Sequence, residues 1–259
     1  PLTTMGNVAA TLWSLRRLDE SVPMFEEIVK RKEAVLGPNH PSTLMSVANL
    51  GVNYLQSGRG EQDLPLLAQS YAASRGQHDF RWVGDVLLEA YVQAEQGEAA
   101  AKLVEELIVG DRAVHAPGSI ELAANLASRA SVLLEIKAYA AAEAVLREVL
   151  AIRTEKQPQT WTTFNTMSML AGALLGQVEA AQKNVDPAEQ SRVSACLQEA
   201  EKLLLAGYQG LKERKAALPP QSRFRLRETC DRLIALYTAL DRPAEVARWR
   251  EEKATLSPD

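Results

Sequence analysis

Little in this sequence is suited to chemistry of its own. Only two cysteines occur, Cys196 and Cys230, far apart and outside any CxxC pair. No disulfide framework is therefore expected, and a reducing, cytoplasmic setting is. No run of about 18 apolar residues is present to cross a membrane, and no charged-then-apolar leader is visible. His40, His78 and His115 are scattered, without the i, i+4 pairing of a zinc helix or an HExxH motif. A GxxxxGK[ST] loop, a GxGxxG turn and the HRD and DFG motifs of phosphoryl transfer are all missing. Lys and Arg total 29 against 33 Asp and Glu, so no basic field draws nucleic acid. No cofactor, metal or catalytic residue is expected. Leu2 to Thr11 already reads as helix, which suggests that Pro1 lies inside a longer protein.

What remains is rich in Ala, Leu and Glu, 46% hydrophobic and only 5% aromatic, a mixture suited to helices packed through small contacts. The chain also repeats. "LRRLDESVPMFEEI" (15–28) aligns with "SGRGEQDLPLLAQS" (57–70) at a shift of 42, placing Arg17 on Arg59 and Pro23 on Pro65. "LLEAYVQAEQGEAAAKLVEEL" (87–107) follows at a shift of 37. "VLLEIKAYAAAEAVLREVL" (132–150), "MLAGALLGQ" with "EAEKLLLAGYQGL", and "LIALYTALDRPAEVARWREE" supply three more copies. Leu18, Val22, Phe25, Ile28 and Val29, like Leu44, Val47, Leu50, Gly51 and Tyr54, recur at three- and four-residue steps, one face of a helix. No period-two alternation suggests a sheet. The expected fold is an all-α, right-handed solenoid of about six helix pairs. Its units run approximately 1–40, 41–77, 78–116, 117–157, 158–218 (with an insert near 178–194) and 219–257.

Small residues fall where paired helices must approach: Ala9, Gly51 and Ala130 on first helices, Ala100, Ala142 and Ala200 on second helices. Ser21 and Asp63 interrupt the second series, and Arg129 stands at an otherwise apolar position, where it needs a partner or an outlet to water. In "VLGPNHPSTL" (35–44), Gly37 is expected to end a helix in the left-handed conformation and Ser42 or Thr43 to cap the next. Asp186-Pro187-Ala188-Glu189 reads as a cap and acidic first turn, so the insert is expected to lengthen both helices of the fifth pair.

At "LGPNHPSTL", "NLGVNYLQSGR" and "LPLL" the chain resembles the tetratricopeptide repeats, specifically the long-period kind of kinesin light chains. "WTTFNTMSMLAGALLGQ", "AEKLLLAGYQGLKER" and "LYTALDRPAEVARWREE" resemble the C-terminal repeat region of planctomycete-type bacterial serine/threonine kinase-like proteins. The resemblance implies a non-catalytic scaffold attached to a larger kinase-like protein, with a protein or peptide ligand in the concave groove. First helices of such a solenoid line its inner surface. The repeat register places Asn7, Ala10 and Trp13 there, then Met45, Asn49, Val52 and Gln56, then Trp82, Asp85, Glu89 and Gln93, and Asn165 with Met169. The resemblance implies that asparagines such as Asn7 and Asn49 hold an extended peptide. An amide donates and accepts at once, which suits any peptide backbone. Trp13 and Trp82 are candidate anchors. Against this, Asn at these places also suits a solvated helix face, and both tryptophans suit packing between repeats.

Two further readings concern partners. Lys212, Arg214, Lys215, Arg223, Arg225, Arg227 and Arg232 concentrate in 212–232; they suit an acidic peptide or phosphate, or equally a solvated linker and a favourable helix C-terminus. Leu2, Met5 and Val8 on the first helix suit end-to-end self-association, in which the chain is a structural spacer without a peptide ligand.

Overall fold

The apolar faces read from three- and four-residue spacing become twelve α-helices, and no strand occurs among the described residues. The structure, a computed structural model, describes residues 2–58, 60–75, 77, 80–181 and 187–256. The helices are α1 (Leu2–Ser14), α2 (Leu18–Leu36), α3 (Pro41–Gln56), α4 (Gly60–Ala73), α5 (Arg81–Gln93), α6 (Gly97–Val114), α7 (Ile120–Glu135), α8 (Tyr139–Lys156), α9 (Trp161–Ala181), α10 (Pro187–Glu213), α11 (Phe224–Ala239) and α12 (Pro243–Thr255). Together they form an all-α repeat solenoid of paired helices.

By internal packing the chain divides into two compact units, residues 1–103 and 104–259. In the first, α1 packs on α2, α2 on α3, α3 on α4 and α4 on α5. Val22, Phe25 and Ile28 of α2 meet Val47, Leu50 and Tyr54 of α3, with Met5 and Leu66 against them. In the second, the same sequential packing runs from α7 to α12. There Leu174, Leu204, Leu233 and Tyr237 share one core with Trp249. α9 and α10 have 21 and 27 residues, against 16 and 18 in α7 and α8. The inserted residues thus extend the ends of this pair; Asp186 lies outside the described residues.

The small residues sit at the close approaches. Ala9, Ala130, Ala100, Ala142 and Ala200 are completely buried. A Cβ on Gly51 would lie 2.7 Å from Leu67 Cγ, inside any real carbon–carbon contact. On α10, Gly207 lies against the Phe164 carbonyl and Gly210 against the Phe164 ring.

Turns between paired helices share one device. Arg16, Gly58, Glu95, Lys137 and Asp241 all have positive φ, between 53° and 73°. After four of them, Arg16, Glu95, Lys137 and Asp241, the next residue donates to the carbonyl five positions back: Arg17 to Leu12, Gln96 to Tyr91, Ala138 to Leu133 and Arg242 to Tyr237, at 2.8–2.9 Å. This six-to-one bond satisfies a carbonyl that the helix end leaves open.

The joint before α3 departs from its sequence reading. Gly37 ends α2 at a positive φ of 85°, the region that favours glycine, but its ψ of 161° lies outside the left-handed helical well. The cap of α3 is His40, whose Nδ1 accepts from the Ser42 N–H at 3.1 Å, rather than Ser42 or Thr43. Pro41 at the first helical position costs nothing, since its missing N–H has no partner in a first turn.

A polar position, half-buried at Lys32 and buried in the other three, recurs near the end of second helices. Lys32, Ser74, Asp111 and Arg153 align in sequence at repeat shifts of 42, 37 and 42. Lys32 Nζ donates to the Ser42 carbonyl and Ser46 Oγ on α3. Arg153 Nη1 donates to the Thr162 carbonyl and Thr166 Oγ1 on α9, and burial lowers its pKa. Asp111 instead receives Arg129 from α7 at 3.0 Å. The arginine at an apolar position is explained by an acid standing where two other pairs carry a base.

Candidate functional site

The candidate site lies in the first unit and is built from helix ends. The left-handed turn at Arg16 brings α1 to a stop just after Trp13, and α3 ends at Gln56. Trp13 Nε1 donates to Gln56 Oε1 at 2.8 Å, and Arg16 Nη1 donates to the same oxygen at 3.1 Å. These two bonds fix the indole and the amide across a sequence separation of 43 residues. One turn earlier, buried Asn53 donates from Nδ2 to the Asn49 carbonyl at 2.8 Å and accepts at Oδ1 from Ser21 Oγ at 2.6 Å. Asn53 is thereby consumed by the fold.

Asn49 is not. It is half-buried, and its side-chain amide has no hydrogen-bond partner among the described residues. It borders a groove of about 300 Å³ together with Trp13, Gln56, Trp82, Val86 and Glu89. Ala10, Val52 and Leu55 complete the walls and Phe25 of α2 the floor. An apolar trough with one amide offering both a donor and an acceptor can hold an extended chain through its backbone.

Of the candidates named from the sequence, Trp13, Asn49, Gln56, Trp82 and Glu89 come together here. Asn7, Asp85 and Gln93 are exposed and lie outside the groove's lining. Thr11 Oγ1 donates to the Asn7 carbonyl, and Gln93 Nε2 donates to Glu89 Oε1 at 3.2 Å. Asn165 belongs to the second unit and is buried. Its Nδ2 lies 3.3 Å from Met169 Sδ, and its Oδ1 has no hydrogen-bond partner among the described residues. The reason is the setting of α9, which is packed by α7, α8, α10 and α11. Phe25, Asn53, Leu55 and Val86 were not singled out from the sequence. Phe25 reads as a core-facing position of its helix, and Val86 stands where the repeat register has Asn7 and Asn49.

A second cavity, of about 650 Å³, lies in the second unit between the start of α8, the end of α9 and α10. Tyr139, Ala141, Val178, Val193 and Cys196 line it, with Arg192 beside them. Burial raises the Cys196 thiol pKa and pushes Cys230 up to about 11; both are thiols at neutral pH and poor nucleophiles.

The basic stretch is largely spent on the fold. Lys212 pairs with Glu252 at 2.6 Å, and Arg214 donates to the Gln159 carbonyl while stacking on Phe164. Arg225 and Arg232 both pair with Glu228. Arg227 donates to the Leu256 carbonyl at 2.8 Å, closing the end of α12. His40 is a helix cap, His115 Nε2 accepts from Asn125 Nδ2 at 2.7 Å, and His78 lies outside the described residues. Among the described residues no three His, Cys, Asp or Glu side chains gather as a metal site, and no helix is long and apolar enough to cross a membrane.

The family model of the tetratricopeptide repeat matches residues 2–42. No curated protein matches the chain by sequence. Among solved structures, it is similar to the nearly identical TPR-like repeats of a Podosopora anserina protein described as a kinesin light chain (19% identity, TM-score 0.64, covering 84% of this chain and 97% of that one). It is also similar to BtubC (BKLC) from P. vanneervenii (12% identity, TM-score 0.52, 93% and 94% covered). A tetratricopeptide repeat protein from Parabacteroides merdae ATCC 43184 covers the whole chain, at 10% identity and a TM-score of 0.50. At these identities the likeness is one of fold.

Proposed function

We propose that the chain is a non-catalytic scaffold that holds an extended peptide in the groove between α1, α3 and α5. The observation that carries this reading is Asn49: an amide at the wall of an apolar groove, with its hydrogen bonds unused among the described residues. Trp13 and Trp82 flank it as anchors, and Gln56 is held ready by Trp13 and Arg16. Binding residues on rigid helices lose little freedom when the ligand arrives. The likeness to kinesin-light-chain-type repeats supports a scaffold role over an enzymatic one. In our reading the scaffold is the interaction region of a larger cytoplasmic kinase-like protein, a reading supported by the resemblance of the last repeats to bacterial proteins of that kind.

Screening the chain against an array of extended peptides tests the groove. Asn49→Ala is expected to weaken the bound peptides about fivefold to tenfold, the cost of one lost backbone-type hydrogen bond pair, with an unchanged melting temperature. Binding indifferent to Asn49→Ala and to Trp82→Ala rejects it.

A second reading, self-association, is favoured by Val8, which is 45% exposed on α1. Met5, on the same helix, packs against the core instead, which narrows the available apolar surface. Light scattering that returns a monomer at high concentration sets this reading aside.

A further inference from the structure

We propose that the groove of the first unit is selective for a cationic peptide, one that places a Lys or Arg side chain against Glu89 and an apolar side chain over Trp82. This inference rests on the peptide-binding reading above and specifies its ligand.

The charge inventory of the groove points there. α1 and α3 contain no Lys, Arg, Asp or Glu at all. α5 carries Arg81, Asp85 and Glu89, and of these only Glu89 is part of the lining. The lining therefore holds one formal charge, and it is negative. Glu89 accepts a neutral hydrogen bond from Gln93 at 3.2 Å and has no cation paired with it among the described residues. A carboxylate left in this way at the wall of an apolar trough gains more from an incoming ammonium or guanidinium than from any neutral donor. Arg16 reaches the opposite requirement: it is bound to Gln56 Oε1 at the edge formed by the ends of α1 and α3, so a ligand cation is directed away from that edge and toward α5.

The aromatic residues act in the same sense. Trp13 has already used its indole N–H on Gln56, so what it offers a ligand is its ring surface. Tryptophan faces are the best aromatic partners for a cation. Trp82 and Glu89 are seven residues apart on one helix, the same face at a rise of roughly 10 Å. That span fits two alternate side chains of an extended peptide, about 7 Å apart, with the length of a Lys or Arg stem taking up the remainder. An acidic peptide meets Glu89 as a like charge.

Two fluorescein-labelled peptides of about 12 residues test this, identical in their apolar residues and carrying Lys in one and Glu in the other at alternate positions. Fluorescence anisotropy with the full chain is expected to give about tenfold tighter binding of the Lys peptide, weakening with added salt. Glu89→Gln is expected to remove most of that preference and to flatten the salt dependence. Asn49→Ala is expected to weaken the Lys peptide without changing its salt dependence. If the Glu peptide binds as tightly as the Lys peptide, and Asn49→Ala weakens both, the peptide groove stands and the cationic preference is overturned. If Asn49→Ala changes neither, or neither peptide binds, the groove reading fails and this inference fails with it.

Discussion

Arg129 on α7 donates from Nε to Oδ2 of Asp111 on α6 at 3.0 Å, with 11% and 2% of the two side chains exposed. Neither residue is acceptable alone at such depth. Breaking a buried pair by removing one partner leaves an uncompensated charge, at a cost of about 3–5 kcal/mol. Replacing both with apolar residues avoids that cost.

Arg129→Leu and Asp111→Leu are each expected to lower stability strongly, and the double variant to recover most of the loss. Urea denaturation of the four proteins measures it as a coupling energy. Additive single effects would mean that the pair is not energetically linked.

Gly51 and Gly110 are both interior to helices, yet their alanine variants are expected to move in opposite directions. The Gly51→Ala methyl has Leu67 Cγ 2.7 Å away and the Asp63 carbonyl at 3.5 Å, an overpacking worth about 1–3 kcal/mol of destabilisation. Gly110 has nothing within 4 Å of the added methyl, so Gly110→Ala gains the helix propensity difference of about 1 kcal/mol. Melting temperatures of the two variants against the parent chain are the check.

Lys137 holds φ at 61° in the turn between α7 and α8. A side chain in this region costs roughly 1–2 kcal/mol that glycine does not bear. Lys137→Gly recovers part of it, offset by the greater freedom of glycine in the unfolded chain. A small rise in melting temperature is expected; a fall would show that the Lys137 side chain contributes contacts that outweigh the backbone term.

Asp63 occupies a place that other second helices fill with Ser21, Ala100 and Ala142. It is 1% exposed, and among the described residues neither carboxylate oxygen makes a well-aligned hydrogen bond, the N–H groups of Asp63 and Leu64 lying nearby. Burial raises its pKa, so the folded chain holds the proton more tightly than the unfolded one. Stability is therefore greatest below the ordinary carboxylate range and falls as pH rises through the folded-state pKa. Asp63→Ser is expected to stabilise at pH 7 by about 1–3 kcal/mol, and to lose that advantage at pH 3.5. A gain equal at both pH values would point to packing rather than charge.

The solenoid was legible because its signals are local and repeated. Leu44, Val47 and Leu50 announce a helix face by spacing alone, and Ala9, Gly51 and Ala142 mark close approach by size alone. The turns were less legible. Only Gly58 of the five left-handed positions is glycine, while Arg16, Glu95, Lys137 and Asp241 hide the same backbone under ordinary side chains. The partner of Arg129 was hidden for another reason: Asp111 is 18 residues away on a different helix, and nothing in either local pattern refers to the other. For the groove, the register named the residues of first helices, but register alone does not separate a wall from an interior. The register sets both Asn49 and Asn165 on the inner surface, and the packing of four helices around α9 buries only the second.

The polar position near the end of second helices also bears on which repeats can follow one another. Lys32 and Arg153 present cations to the carbonyl and hydroxyl of the next helix, whereas Asp111 requires the arginine that only α7 supplies. A shortened chain that joined α6 directly to α9 would set a carboxylate before the Thr162 carbonyl, acceptor against acceptor. The helix pairs are alike in shape but not freely exchangeable in order, because Lys32, Asp111 and Arg153 each answer a particular neighbour, while Ser74 bonds back to its own helix and ties its joint to none.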